Sequence, residues 1–307
     1  MQVLELPVFR STSDDLRLPP HAETAIPLRR LAPALTGAAA VGGVIEVLLE
    51  RVAGPTLTHA AGPSLAPAAA MVSRVGTIAV GATAILVLLA AVAWAGAAWS
   101  RSRIVAAAIL AAVVTTLAAG FIGYGSALTL LHVAVTVAAV GMVLTLRLPG
   151  AYGGAIAAVA VAIVAGQWSL AGLSGHVAVR VVAEAALVLA LLLFAVSVVG
   201  TFGRRSLIGL TAGAMVAAAS LMSARTPLIV LWASGATLWM PSAVYICAGA
   251  AIGLLLATWL PDRSTRHLAA GLVLLAVAGI EPALVHHNLT ALVALLALAV
   301  PIGRTSP

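Results

Sequence analysis

The stretch from Gly172 to Arg205 reads GLSGHVAVRVVAEAALVLALLLFAVSVVGTFGRR, and it decides the fold class. It opens with a Gly/Ser turn and a histidine, continues apolar for long enough to cross a bilayer, and stops at two arginines. Its first half carries three polar residues spaced four apart, so they share one stripe of a helix: His176, Arg180 and Glu184. Because ionisable groups within a membrane are costly and face the protein interior, this stripe predicts a membrane helix inside a bundle.

The composition of the whole chain points to the same environment. Of 307 residues, 63% are hydrophobic and only 8% are charged, which is too little polar surface for a soluble protein of this size. We therefore expect an all-α, polytopic transmembrane helix bundle in contact with the lipid bilayer. The net charge is +7, and all sixteen basic residues are arginines. We interpret these arginines as topology markers beside membrane spans, so we expect no nucleic-acid partner.

Apolar runs of about 20 residues predict the individual spans. The last two of ten runs are short and could be re-entrant, so we predict eight to ten spans. An irregular cytoplasmic tail (1–30) precedes a transmembrane domain (31–303), and Thr226–Met240 is predicted to lie at the interface. The runs are Leu31–Val52, Met71–Trp99, Ile104–Ile122, Ser126–Leu146, Tyr152–Leu170, Val177–Val199, Ser206–Ser223, Pro241–Leu260, His267–Glu281 and Asn288–Ile302.

The arginines set the orientation of these spans. With ten spans and a cytoplasmic N-terminus, twelve of the sixteen arginines fall on the cytoplasmic side and four on the outer side, as the positive-inside rule favours. The Gly/Ala-rich spans permit close helix packing but do not indicate a function.

This orientation gathers histidines and carboxylates in the outer half of the membrane, where imidazole, carboxylate and thioether groups could bind copper. The candidate ligands are His176, Glu184, His132 and Glu46. Each has a plainer alternative. Arg180 and Glu184 could form an ion pair with His176 in a loop, His132 could bond a neighbouring helix, and Glu46 could belong with Glu50 to a solvated helix end.

Enzyme signatures are missing from the sequence. There is no GxSxG, HExxH, P-loop or GxGxxG motif, and the three aspartates all lie in predicted cytoplasmic segments. We therefore expect that the protein is not an enzyme.

The segment around His176 resembles the copper-resistance protein D (CopD) family of polytopic membrane proteins. The resemblance rests on the turn Leu173–His176 before a span, the arginine-containing turn Phe202–Leu210 after it, and an interfacial segment followed by a final span that ends at Arg263. It covers roughly Met71–Arg263. The Leu-His pair that family members carry in the span after the Gly-His turn occurs here two spans earlier, as Leu131-His132.

The resemblance implies a protein of the cytoplasmic membrane that handles copper, with a periplasmic copper-binding protein as its partner. On that basis the expected function is to move or hold copper ions between the outer side and the cytosol. The alternative is a structural or accessory membrane subunit without cargo. A fold that brings His132, His176 and Glu184 or Glu46 around one cavity would favour transport.

Overall fold

The computed structural model of the chain describes residues 26–53, 66–146, 150–170, 176–201, 208–215, 249–250, 253, 266–280 and 285–299. Eight helices account for most of this part, and it contains no strand. They are α1 (Ile26–Val47), α2 (Ala66–Trp99), α3 (Arg103–Ile122), α4 (Tyr124–Leu146), α5 (Gly150–Leu170), α6 (His176–Thr201), α7 (Arg266–Ile280) and α8 (Val285–Leu298).

Four of these helices contain a stretch long and apolar enough to cross a membrane, namely Pro67–Trp99, Arg103–Ile122, Tyr124–Thr145 and Gly150–Trp168. Their outward faces are apolar too. On α3, for example, Val114, Leu117 and Phe121 are exposed, which suits lipid and not water. The predicted fold class, an all-α bundle of membrane helices, is confirmed. The count of eight to ten spans and the cytoplasmic N-terminus stay predictions, and the interfacial segment Thr226–Met240 lies outside the described residues.

The helix boundaries follow the apolar runs, with small differences. The helix α1 begins at Ile26, five residues before the predicted span, and continues into a π-helix from Leu48 to Ala53. The predicted spans leave residues 123–125 as the connection between α3 and α4, but only Gly123 separates the two helices, because Tyr124 already belongs to α4. Gly123 has a φ of 83°, a conformation that glycine adopts without steric cost.

Neighbouring helices run in alternating directions, and close contacts fix which ends meet. A Cβ added to Gly42 of α1 would lie 2.8 Å from Oγ1 of Thr83 in α2, and one added to Gly141 of α4 would lie 3.0 Å from Val105 of α3. Thr36 of α1 bonds Trp94 of α2, whereas the later Gly42 meets the earlier Thr83, so α1 and α2 are antiparallel. Gly141 near the end of α4 meets Val105 at the start of α3, so these two helices are antiparallel as well. Glycine at these positions allows the backbones to approach.

Two short helical pieces cross in the same manner. Gly209 and Gly213 lie four apart, as do Gly249 and Gly253, and the two pairs face each other. A Cβ added to Gly213 would overlap the carbonyl oxygen of Gly249, and one added to Gly253 would overlap that of Gly209. The crossing therefore depends on glycine at both of these positions.

The short helices α7 and α8 occupy the interior. The helix α8 packs against α1, α2, α3, α4, α5 and α7, and every residue from Asn288 to Ala299 is buried. A helix buried on all sides is a core helix. Tyr152 of α5 donates a hydrogen bond to the carbonyl oxygen of Leu298, so the last turn of α8 lies beside the start of α5.

Candidate functional site

A partly buried polar contact joins α4 and α5 in the half of the bundle where α4 begins and α5 ends. The indole Nε1 of Trp168 donates to Oγ1 of Thr136 at 3.1 Å, and that hydroxyl donates to the backbone oxygen of His132 at 2.7 Å. The rings of His132 and Trp168 lie 6.0 Å apart between centroids and are tilted by 54°. We call this arrangement the α4–α5 clamp.

The His132 side chain has no exposed surface, and neither of its ring nitrogens has a hydrogen-bond partner within the described residues. Leaving a buried polar group unsatisfied costs about 1–3 kcal/mol. A cost of this size needs an explanation, and one is a ligand that the ring binds. His132 is thus a described residue whose polar side-chain atoms are not used by the fold.

Gln167 lies beside Trp168 on α5 and was missed by the sequence analysis. It is 5% exposed, and both atoms of its amide lack a hydrogen-bond partner in the described part of the chain. One signal was available, since glutamine occurs only twice in the sequence and this one lies inside a predicted span. A neutral amide carries no charge, so Gln167 does not count among the ionisable residues of the predicted spans.

A second clamp joins α1 and α2 with the same geometry. Nε1 of Trp94 donates to Oγ1 of Thr36 at 3.0 Å, and Thr36 donates to the backbone oxygen of Ala32 at 2.7 Å. We call this arrangement the α1–α2 clamp. Each clamp consists of a tryptophan, a threonine and the backbone carbonyl four residues before the threonine. The residue that provides this carbonyl is Ala32 in the α1–α2 clamp and His132 in the α4–α5 clamp.

The predicted site residues fall at one end of the bundle. Glu46 lies near the end of α1 and is 3% exposed, whereas His132 lies in the first half of α4. His176 begins α6 and Glu184 lies two turns further on, and their side chains are outside what the structure describes. Because successive helices alternate in direction, these positions share one half of the bundle.

The described residues do not unite these groups into one cluster. Both α1 and α4 pack against α8. Within the described part of the chain, no three His, Cys, Asp or Glu side chains come close enough to hold a metal ion. The predicted four-residue copper set therefore stays a prediction.

No protein-family model, curated protein or solved structure matches this chain.

Proposed function

We propose that the protein is a multi-pass protein of the cytoplasmic membrane that handles copper, transferring the ion between ligands without covalent chemistry. Among the described residues, His132 is the group we assign to binding the ion. His176, Glu184 and Glu46 would receive it nearer the outer surface, and the resemblance to the CopD family implies delivery by a periplasmic copper-binding protein.

One observation carries this proposal. An imidazole with no exposed surface, and with both nitrogens unpartnered among the described residues, lies between packed membrane helices. Imidazole is a common ligand for copper in either oxidation state. Ionisable groups within membrane helices are rare, face the interior of the bundle and often mark ion pathways.

Chain positions add a second support. His286 and His287 belong to the first turn of α8, and α8 starts at the end of the bundle where α6 starts with His176. With His132, four of the seven histidines in the sequence therefore have their backbones in one half of the bundle.

The alternative function is a structural or accessory subunit without cargo. It is favoured by the missing metal-type cluster in the described residues and by the α1–α2 clamp, which forms without any histidine. On this alternative the His132 ring is a buried polar group that the fold tolerates.

Metal analysis of the purified protein separates the two functions. We expect about one copper ion per chain in the wild type and a clear loss of copper in His132→Ala and His176→Ala. Leu131→Ala is the matched control, because it truncates a neighbouring residue that is equally buried in the same helix. If the wild type holds no copper and deletion leaves copper tolerance unchanged, the accessory function replaces the first proposal.

A further inference from the structure

The α1–α2 clamp and the α4–α5 clamp are two copies of one arrangement. In each, a tryptophan in the last two turns of the second helix donates to a threonine of the first helix, at 3.0 Å and 3.1 Å. In each, the threonine donates to the carbonyl oxygen four residues earlier, at 2.7 Å. The agreement in donors, acceptors, distances and helix order relates the two-helix unit α1–α2 to the two-helix unit α4–α5.

The amino-acid sequences around the two threonines agree as well. Residues 31–39 read LAPALTGAA and residues 131–139 read LHVAVTVAA, so both follow the pattern L-x-x-A-x-T-x-A-A. Alanine and leucine are frequent in this chain, so the weight of the agreement rests on the threonine, which forms the clamp in both copies. Ala39 and Ala139, three residues after each threonine, both have no exposed surface. The two first helices therefore match in sequence and in burial at the clamp.

The two units point in opposite directions across the bundle. The helices α1 and α2 are antiparallel, and so are α3 and α4. The helices α2 and α3 pack against each other across a short turn over residues 100–102, so they are antiparallel too. It follows that α1 and α4 run in opposite directions. The α1–α2 clamp then lies in the half of the bundle where α1 begins, and the α4–α5 clamp lies in the opposite half.

We infer that α1–α2 and α4–α5 are the two halves of an inverted repeat, and that the protein moves its cargo by opening alternately at the two ends of the bundle. Inverted repeats occur in many membrane transporters, in which one repeat rocks against the other and exposes the site between them to one side at a time. The inference goes beyond the proposed function, because it concerns this motion and does not depend on copper as the cargo.

Each clamp holds together the end of the bundle at which it lies. Hydrogen bonds between membrane helices are individually weak, so a clamp can open while the bundle stays folded. Both clamps are formed in this structure, which is therefore the state closed at both ends. The helix α8 packs against all four helices of the two units, so the interface between the units runs along it. The middle of α8 is the place that each opening exposes, first to one side and then to the other.

The test measures from which side of the membrane the middle of α8 can be reached. Val293 lies there and has no exposed surface, so Val293→Cys in a Cys247→Ser background provides a single buried thiol. A membrane-impermeant maleimide is applied to right-side-out and to inverted membrane vesicles. Thr36→Val should raise the labelling rate about 3- to 10-fold from the side where α1 begins, because the loss of one interhelical bond shifts the open population by about that factor. Thr136→Val should do the same from the side where α4 begins.

Thr116→Val is the matched control, because this hydroxyl bonds the carbonyl oxygen of Ala112 within its own helix. It should change the labelling rate from neither side. Trp94→Phe and Trp168→Phe remove the donors of the two clamps and should repeat the effects of the threonine variants. The inference is overturned if the two clamp variants raise labelling from the same side, if neither raises it, or if Thr116→Val raises it equally. No copper is added, so none of these results bears on the proposed copper function.

Discussion

The α1–α2 clamp and the α4–α5 clamp each join two neighbouring helices by the same pair of hydrogen bonds, yet only the α4–α5 clamp contains an ionisable side chain. In both, a tryptophan N–H bonds a threonine hydroxyl on the preceding helix, and that hydroxyl bonds the carbonyl four residues earlier. The carbonyl belongs to Ala32 in the α1–α2 clamp and to His132 in the α4–α5 clamp. Since alanine suffices in the first clamp, the second does not need an imidazole in order to form. The comparison therefore shows that the hydrogen bonds of the clamp do not depend on the His132 ring, which packs against Trp168.

Placing a histidine in the first clamp should have the largest effect. Ala32 has no exposed surface, so Ala32→His adds volume to a filled position and buries an imidazole without a prepared partner. We expect the free energy of unfolding in detergent to fall by about 3 kcal/mol or more. Ala32→Ser serves as the control for polarity without bulk. If Ala32→His is as stable as the wild type, the α1–α2 clamp can accommodate an imidazole. The difference between alanine in that clamp and histidine in the α4–α5 clamp would then have no structural basis.

Removing the central hydroxyl should affect both clamps to similar extents. Thr36→Val and Thr136→Val keep the side-chain shape but leave the indole N–H of Trp94 or Trp168 without its acceptor. Each change should lower the free energy of unfolding by about 1–2 kcal/mol, with the larger loss for Thr36→Val because Trp94 is more buried than Trp168. Double-mutant cycles with the matching Trp→Phe variants isolate the bond itself. A much larger cost for Thr136→Val would show that this hydroxyl also supports the neighbouring imidazole.

Replacing the imidazole of His132 by an apolar group should have the smallest effect on the free energy of unfolding. The same change should abolish copper binding. His132→Leu removes two buried polar atoms without partners in the described residues, so we expect the free energy of unfolding to stay constant or rise by about 1 kcal/mol. Leu131→Ala, by contrast, should lower it by about 2–5 kcal/mol. The free energies of unfolding of the two variants are measured by reversible unfolding in mixed micelles. Metal analysis of the same samples gives the copper content per chain. A clear loss of stability in His132→Leu would mean that the ring has a structural partner.

Hydropathy was a good guide to where the helices lie. The backbone N–H and C=O groups of a segment surrounded by lipid must bond to each other, so an apolar run such as Ile104–Ile122 is expected to form a helix. The prediction was less accurate at ends such as Ile26, where Pro27 and the two arginines gave no apolar signal although α1 had begun.

Hydropathy could not show which helix occupies the centre. Lipid tails and a protein core are equally apolar, so the sequence of α8 does not reveal that it is enclosed while α3 faces outward. The same limit applied to the site. His132 is recognisable in the sequence as an ionisable residue in an apolar run. The position of Gln167 beside α4 is known only from the contact between Trp168 and Thr136, which joins two helices across more than thirty residues of sequence.

The enclosed position of α8 has a consequence for how the chain is made. Ribosomes release the helices in order, and those that surround the centre emerge before the helix that fills it. Until residues 285–299 have been synthesised, the helices α1 to α5 cannot pack against Leu289, Leu292 or Leu295. During this time lipid or an insertion factor must cover the inner faces of these helices. Assembly therefore finishes only after the last of the described helices leaves the ribosome, when Tyr152 can bond to Leu298.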